Sequence, residues 1–306
     1  MSTAPNIPLR AWIDLLLLAL IWGAIFLFIE YALDGMTPLW IVFHRVFWAM
    51  LLLWLYVIAK GMAVPRGLAV WGAFLVMGAL NNVIPFGLIT WGQTEIESGL
   101  ASILNATTAF SGIVVASIFL VDERLTARRL AGVAVGVLGV AVIMGLDVLT
   151  AFDLRALGQL AILGATTSYA FAGVWARLYM KGLTPAVSAA GMLTGSSLIM
   201  LPLAWMVEGT PTLPHGALTI ASLAYISVIG TFCAYLLYYR ILAAAGSGNL
   251  MLVTIMMPPL SILLGAVFLG EKLAPSTYIG CALIAAGLII LDGRALSLLG
   301  KGRKAA

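Results

Sequence analysis

This chain has few charged residues, few cysteines and few histidines. Only 9% of its 306 residues are charged, whereas a soluble domain carries roughly 25%, so its apolar residues could not be covered in water. The two cysteines, Cys233 and Cys281, lie within apolar stretches, where we expect small apolar fillers and no disulfide. The only two histidines, His44 and His215, match no metal-ligand spacing, and no phosphate-binding glycine loop occurs. We therefore expect no metal and no cofactor.

Long apolar stretches dominate what is present. The composition is 63% hydrophobic and the mean hydropathy is +1.11. A helix of about 20 residues crosses roughly 30 Å of hydrocarbon, and the backbone must satisfy its own hydrogen bonds there. We predict an all-α integral membrane protein with ten transmembrane helices, at about residues 12–33, 38–59, 68–91, 98–120, 127–146, 158–180, 185–207, 217–240, 248–269 and 275–292.

The second half of the chain repeats the first at an interval of about 148 residues. Glu123-Arg124-Leu125, for example, aligns with Glu271-Lys272-Leu273. Because each half has an odd number of spans, the second half must begin on the opposite side of the membrane. Inverted repeats of this kind usually enclose a substrate site. We predict two inverted five-helix repeats, residues 1–147 and 148–306, that form one integrated transport unit.

Basic residues separate by membrane side when the loops are numbered with the N-terminus inside. The outside segments hold only Arg155 and Lys272, and Arg45 lies well within a span. Cytoplasmic loops carry an excess of Lys and Arg, so we predict that both termini are cytoplasmic. The net charge of +4 reflects this bias, and we expect no nucleic-acid partner. The inside segments and the helix ends on that side hold Arg10, Lys60, Arg66, Arg124, Arg128, Arg129, Arg177, Lys181, Arg240, Arg294, Lys301, Arg303 and Lys304.

Polar and aromatic side chains within the spans mark the expected substrate path, because polarity that faces lipid is costly. In the fourth span, Ser98, Ser102 and Asn105 recur on one face at helical spacing. Small polar residues also allow close helix packing, and that alternative stays open for each serine and threonine. An amide in hydrocarbon needs partners or water, which favours a path role for the asparagines. The candidate substrate-binding residues are Trp22, Asn81, Asn82, Trp91, Asn105, Thr108, Tyr169, Tyr235, Tyr239 and Thr254.

Prolines within the spans are candidate hinges for gating. Pro258 and Pro259 remove two backbone donors in the middle of the ninth span, so we expect that helix to kink or break there. Pro85 is placed to bend the third span. Each bend is either a gate that swings one half-helix or a static curve that fills space, and both interpretations stay open.

One charged pair and two glycine-rich spans are expected to be structural. Glu30 and Arg45 both lie close to the loop at 34–37, which predicts an ion pair between the first two spans. The fifth and tenth spans, here called helices 5 and 10, carry glycines in aliphatic surroundings. We predict that they serve as packing helices or as a homodimer contact outside the transport path. These glycines are Gly132, Gly136, Gly139, Gly280 and Gly287.

Four segments carry a family resemblance: Trp22-Gly23, WGQTEIESGLASIL at 91–104, DERLT at 122–126 and EKLAP at 271–275. With the glycine-rich spans, they resemble the drug/metabolite transporter (DMT) superfamily, in its EamA-type branch, over residues 10–293. The family often has a proline in the fourth span where Ala109 stands, and this chain keeps it only at Pro258. Within the branch the chain is similar to YddG-type amino acid exporters. The resemblance implies a multi-pass protein of the bacterial inner (cytoplasmic) membrane that exports aromatic amino acids and some toxic compounds.

The chemistry of the expected cavity agrees with an amino acid substrate. Amides, hydroxyls and aromatic rings with almost no charge suit neutral or zwitterionic solutes with apolar side chains. Phosphate-bearing substrates would require Lys or Arg in the cavity. A lipophilic cation could bind the faces of Trp22, Tyr169 or Tyr239. We predict a non-enzymatic exporter of amino acids, aromatic or neutral, and related small metabolites that works by alternating access around a central, mostly uncharged cavity. The alternatives are an exporter of lipophilic cations or drugs and a channel-like facilitator.

Overall fold

The computed structural model describes residues 9–145, 153–211, 214–250 and 252–293, in which helices are joined by turns and loops and no strand occurs. Ten helices in this part are long and apolar enough to cross a membrane, which confirms the predicted number. The predicted boundary between repeats, at residues 147 and 148, lies outside the described residues. The spans are α1 (Leu9–Leu33), α2 (Pro38–Ala59), α3 (Leu68–Gly92), α4 (Ser98–Phe119), α5 (Ala127–Met144), α6 (Leu154–Tyr179), α7 (Pro185–Glu208), α8 (Ala217–Gly246), α9 (Leu252–Leu269) and α10 (Pro275–Asp292).

Local sequence signals set several helix ends. The side chain of Thr126 accepts a hydrogen bond from the backbone N–H of Arg129 and caps α5, and Asp153 caps α6 through the N–H of Ala156. Gly293 ends α10 in the left-handed conformation, with φ of 73°, which glycine adopts without a steric penalty. Helices α2, α7 and α10 each have a proline in the first turn, where its missing N–H has no intrahelical partner to lose: Pro38, Pro185 and Pro275.

Three helices that carry predicted site residues contain a π-helical segment. In α3 the segment is Ala79–Val83, in α8 it is Tyr225–Cys233 and in α9 it is Gly265–Leu269. Pro85 lies two residues after the end of the first segment. A proline ring clashes with the carbonyl four residues earlier and cannot donate to it, and a wider turn relieves both problems. Such segments present neighbouring side chains at angles that a regular α-helix does not allow.

The break in the bundle falls in α4 and not at the paired prolines of α9. Helix α4 consists of two helical pieces, Ser98–Asn105 and Thr108–Phe119, although it contains no proline. Of the predicted kink or break at Pro258 and Pro259, the break is absent, since an α-helix runs from Leu252 to Leu264 through both. This helix is bonded to α1, where the hydroxyl of Ser261 donates to the Gly23 carbonyl at 2.7 Å. Neighbouring helices commonly support prolines in membrane spans in this way.

Helices α5 and α10 pack closely on each other along their glycines. A Cβ added at Gly132 would lie 2.8 Å from the carbonyl oxygen of Gly287, and one at Gly139 would lie 2.8 Å from that of Gly280. Only glycine permits such an approach of two backbones. The predicted packing role of these spans is therefore met within one chain, by the same glycines that suggested a homodimer contact.

Ion pairs and caps at the helix ends distinguish two faces of the bundle. At the N-terminal face, where α1 begins, Arg240 of α8 pairs with Asp14 of α1. At the opposite face, where α1 ends, Arg155 pairs with Glu97 at 2.8 Å. On the same face Glu271, just after α9, accepts hydrogen bonds from the backbone N–H groups at the start of α4. Each face thus carries contacts that hold particular helices together.

Candidate functional site

The centre of the site is a hydrogen-bonded cluster of two amides, a phenol and a hydroxyl. Asn81 Nδ2 donates to Tyr235 Oη at 3.2 Å, and Tyr235 Oη donates to Asn82 Oδ1 at 3.1 Å. Asn82 Nδ2 in turn donates to Ser196 Oγ at 2.8 Å. We call these four residues the amide–tyrosine cluster. It joins α3 to α7 and α8, and therefore links the first five spans to the second five.

Local backbone geometry brings the two amides into this position. Asn81 and Asn82 both lie in the π-helical segment of α3. Just before them, Gly78 lets α3 approach α7, since a Cβ there would lie 2.6 Å from the Met192 carbonyl oxygen. The Ser196 hydroxyl also contacts the Gly78 carbonyl at 3.2 Å. Asn82 is completely buried, so these partners offset the cost of placing an amide away from water.

Aromatic rings of α8 and α1 extend from the cluster along one wall. Tyr235 stacks on Tyr239 with ring centroids 6.3 Å apart, and Tyr238 meets Tyr239 edge to face at 5.3 Å. Trp22 lies 6.0 Å from Tyr238, and its indole N–H donates to the Gly230 carbonyl at 3.3 Å. This tyrosine wall presents apolar ring faces next to polar tips, which suits a ligand with both characters.

Arg45 of α2 reaches this region, where the sequence led us to expect almost no charge. Its Nε donates to Thr231 Oγ1 at 3.1 Å, and its guanidinium carbon lies 3.6 Å from the centroid of the Phe86 ring. Thr231 precedes Tyr235 by four residues on α8, and Phe86 follows Asn82 by four residues on α3, so Arg45 contacts both helices that carry the cluster. The residue is only 7% exposed. The surroundings of the amide–tyrosine cluster thus contain one buried cation.

The predicted ion pair between Glu30 and Arg45 is wrong. Glu30 accepts a hydrogen bond from Gln93 Nε2 at 3.2 Å, while Arg45 contacts Thr231 and Phe86. The prediction failed because α2 packs mainly on α7 and on the π-helical part of α8, and hardly on α1. A short connecting loop does not make two helices neighbours along their length.

A cavity of about 570 Å³ lies next to Glu30, at the face of the bundle where α1 ends. It carries acidic, amide and imidazole groups, which distinguishes it from the tyrosine wall. Gln93, on its lining, also donates to the Phe26 carbonyl at 2.9 Å and so ties α3 to α1. The cavity is lined by Glu30, Leu33, Asp34, Gly35, Met36, Thr37, Pro38, Gln93, Thr94 and His215.

The remaining predicted residues occupy other positions on α3, α4 and α9. Trp91 is 37% exposed and lies nine residues beyond Asn82, roughly 14 Å along the helix at 1.5 Å per residue. Asn105 ends the first piece of α4, and its Oδ1 is buried without a hydrogen-bond partner in the described part of the chain. The Thr108 hydroxyl donates to the Asn105 carbonyl at 2.7 Å. Thr254 lies half-buried on α9.

The structure thus unites five of the ten candidates: Trp22, Asn81, Asn82, Tyr235 and Tyr239. Tyr169 packs against the same hydrophobic cluster as Tyr235 and Tyr239. Ser196 and Phe86 also lie at this site, although neither was among the predicted residues. Arg45 was predicted only as the partner of Glu30 in an ion pair. A usable signal existed for Arg45, because it is the only basic residue well within a span, and such residues commonly mark functional sites. Ser196 and Phe86 gave no comparable signal, since serines and phenylalanines are common in membrane helices.

The chain is similar to known membrane transporters over most of its length. The model of the EamA-like transporter family matches twice, at residues 10–145 and 156–291. A Bacillus subtilis protein, the uncharacterized transporter YoaV, is 21% identical, with 92% of this chain and 96% of that protein aligned. The probable amino-acid metabolite efflux pump of Escherichia coli is 27% identical, with 90% of this chain and 92% of that protein aligned.

Two further matches complete the comparison. The probable terminal-alkyne amino-acid exporter of Streptantibioticus cattleyicolor is 30% identical, with 68% of this chain and 69% of that protein aligned. A solved crystal structure superimposes with a TM-score of 0.65 at 18% identity, covering 92% of this chain and 96% of that one. At this identity the structural match shows a shared fold and nothing further.

Proposed function

Because the chain belongs to the EamA-like transporter family, we propose that it exports neutral and aromatic amino acids and related metabolites by alternating access. Family membership and ten membrane-spanning helices make it a multi-pass membrane transporter and not an enzyme. The proposal adds the substrate class, the direction of transport, the mechanism and a location in the bacterial inner membrane. The predicted excess of basic residues on one side supports an orientation with both termini in the cytoplasm.

The observation that carries the proposal is the amide–tyrosine cluster beside the tyrosine wall. A zwitterionic solute needs hydrogen-bonding groups for its polar end and apolar surface for its side chain. Asn81, Asn82 and Tyr235 offer the first, and the rings of Tyr239 and Trp22 offer the second. Two relatives whose names describe amino-acid efflux or export support the same substrate class.

The arrangement of the two faces supports alternating access. The cavity beside Glu30 opens at the opposite face, whereas Asp14 and Arg240 tie α1 to α8 at the N-terminal face. The amide–tyrosine cluster between them joins helices from both halves of the chain. We propose that the halves rock about this cluster, so that the solute meets one opening at a time. Pro85, Pro258 and Pro259 remain proposed hinges in this movement.

The remaining candidates have a proposed place along the same path. Asn105 and Thr108 flank the interruption in α4, and the buried Asn105 amide oxygen, which has no partner among the described residues, would meet a solute once the helices around it separate. Thr254 lies on α9, which packs against α1 near Trp22. Trp91, farther from the centre, would contact the solute only as it enters or leaves. A homodimer, if formed, would use surfaces of helices 5 and 10 other than their paired glycines.

Transport by purified protein in liposomes tests the proposal. We expect uptake of labelled phenylalanine and leucine to saturate, to be inhibited by related amino acids and to accelerate when the vesicles are preloaded with unlabelled substrate. A channel-like facilitator would show no acceleration by preloading. Runs with and without a pH gradient would show whether protons drive the flux. Absence of uptake for the whole panel of amino acids, in vesicles that contain folded protein, would refute the proposal.

Export of lipophilic cations is the second candidate, because the tyrosine wall and Trp22 could bind a cation through their ring faces. The buried positive charge of Arg45 argues against this second candidate, because it would strongly repel a bound cation in a low-dielectric site. We expect ethidium, a lipophilic cation, to inhibit phenylalanine uptake only weakly. Strong competitive inhibition would favour the second candidate.

A further inference from the structure

Arg45 is a buried cation without a carboxylate partner in the described part of the chain. No ion pair there includes it, and the acid that might have paired with it, Glu30, is bonded to Gln93. A buried charge with no partner is costly, and charged residues in membrane spans usually mark a functional site. Its presence therefore calls for a ligand that supplies the missing negative charge.

The hydrogen bonds of Arg45 leave most of its donors unused. A guanidinium group has five N–H donors and no acceptor. Only Nε has a protein acceptor, Thr231 Oγ1, and the two terminal nitrogens donate to no residue that the structure describes. Thr231 is itself fixed, since its hydroxyl donates to the Ile226 carbonyl at 2.8 Å within the π-helical segment. The two terminal nitrogens form the edge that recognises a carboxylate with two parallel hydrogen bonds.

The orientation of the guanidinium group is set before any ligand arrives. Contact with the Phe86 ring at 3.6 Å holds one face, and the bond to Thr231 holds the Nε edge. A planar fork fixed in this way loses little freedom when it binds a carboxylate. Lysine could not reproduce the arrangement, because its ammonium group is a point charge on a flexible stem.

The surroundings of Arg45 match the rest of an amino acid. Arg45 contacts Thr231 and Phe86, which lie four residues from Tyr235 on α8 and four residues from Asn82 on α3, both members of the amide–tyrosine cluster. There, Asn81 Oδ1 accepts no hydrogen bond from any described residue, so it can accept one from an ammonium group. The rings of Tyr235 and Tyr239 provide an apolar surface alongside. A carboxylate on Arg45 would thus place the amino group and the side chain of the same molecule near suitable partners.

We propose that Arg45 binds the carboxylate of the transported solute, so that the substrates of this protein are amino acids with a free α-carboxylate. This inference rests on the proposed function and narrows it. Amino acid amides, amino acid esters and decarboxylated amines should be excluded, because none of them can replace the missing negative charge. A site built to pair a buried polar group rejects analogues that lack the partner far more strongly than it rejects a change in apolar size.

The first test uses the unaltered chain in liposomes. Uptake of labelled phenylalanine is measured against two competitors, unlabelled phenylalanine and phenylalanine amide, at matched concentrations. We expect the amide to inhibit on the order of 100-fold less well than the acid. Equal inhibition by the two would overturn the inference while leaving amino acid transport, and with it the proposed function, intact. No transport of any amino acid would instead refute the proposed function itself.

The second test compares Arg45→Gln and Arg45→Lys with Arg66→Gln, a control at an exposed loop cation. We expect Arg45→Gln to raise KM for phenylalanine about 30-fold or more and to abolish the preference for acid over amide. Arg45→Lys should show an intermediate KM, and the control should match the unaltered protein. A purely structural role would lower the amount of folded protein without changing the preference between acid and amide. If folded Arg45→Gln kept the KM and the preference for acid over amide, the inference would be overturned. If Arg45→Gln does not fold, the same two quantities measured for Arg45→Lys, together with the competitor assay on the unaltered chain, decide whether Arg45 binds the carboxylate.

Discussion

The guanidinium of Arg240 donates two hydrogen bonds to the carboxylate of Asp14, one of them at 2.7 Å, and so joins α8 to α1 at the N-terminal face. Asp14 is only 4% exposed, whereas Arg240 is exposed. A two-pronged pair of this kind is stronger and more specific in geometry than a single contact. It lies at the face away from the cavity beside Glu30, and under the proposed alternating access a gate would close at this face while that cavity is open.

Neutralising this pair should impair the closing step and leave substrate binding nearly unchanged. We expect Asp14→Asn and Arg240→Gln each to lower the maximal rate of phenylalanine uptake about tenfold, with KM altered less than about twofold, because lids and gates often set the turnover rate. The double variant should be no worse than either single one, since the two groups act as a unit. Additive losses in the double variant would contradict a shared gate.

Much of the fold could be predicted from the sequence, because apolar length decides whether a helix can cross a bilayer. The ten spans follow from it, and the cluster candidates Asn81, Asn82 and Tyr235 follow from the cost of burying polar groups. What could not be predicted depends on contacts between distant helices. The partners of Arg45 lie on α3 and α8, and no local pattern shows that α2 packs there.

Interruptions in the helices also could not be predicted from local sequence alone. Paired prolines at Pro258 and Pro259 predicted a kink or break, yet α9 is unbroken through both prolines and is bonded to α1 through Ser261. The break in α4 after Asn105 has no proline to signal it. Aligned residues also differ in role: Glu123 pairs with Arg129 and Arg177, whereas its counterpart Glu271 caps a helix. A repeat in sequence therefore predicts similar topology but not the same contacts in both halves.

The hydroxyl of Tyr235 should matter to transport more than its ring neighbours' hydroxyls do. Tyr235→Phe removes the donor to Asn82 and the acceptor for Asn81, and a hydrogen bond of this kind contributes about 1 kcal/mol. We expect KM for phenylalanine to rise about fivefold. Tyr238→Phe is the matched control, because the Tyr238 hydroxyl makes no hydrogen bond with a described residue and the ring contact to Trp22 is kept. Equal effects of the two changes on uptake would argue against a specific role for the cluster.

The Glu271 carboxylate should stabilise α4 as a cap supplied from the loop between α9 and α10. Its two oxygens accept from the N–H groups of Ser98 and Gly99 at 2.7 and 3.0 Å, and they lie at the positive end of the helix dipole. Glu271→Ala should cost about 0.5–2 kcal/mol, the range found for lost helix caps, and lower the melting temperature in detergent. Lys272→Ala is the control, since the neighbouring lysine takes no part in the cap. An unchanged melting temperature for Glu271→Ala would show that water replaces the carboxylate as a cap and that the cap contributes no measurable stability.

The pairing of α5 with α10 depends on the missing side chain of Gly280. A Cβ at this position would lie 2.3 Å from Ile143 Cγ1 and 2.6 Å from the Gly139 carbonyl oxygen. Because the second atom belongs to the backbone, the helices would have to separate, and overpacking of this kind costs about 1–3 kcal/mol. We expect Gly280→Ala to lower the melting temperature in detergent.

The control is Gly112→Ala on α4, where nothing lies within 4 Å of an added Cβ. This change should leave the melting temperature unchanged or raise it slightly, since alanine favours a helix more than glycine does. If both variants melted alike, the glycine contact between α5 and α10 would contribute nothing measurable to stability. If Gly280→Ala instead changed the oligomeric state at constant melting temperature, these glycines would serve contacts between chains.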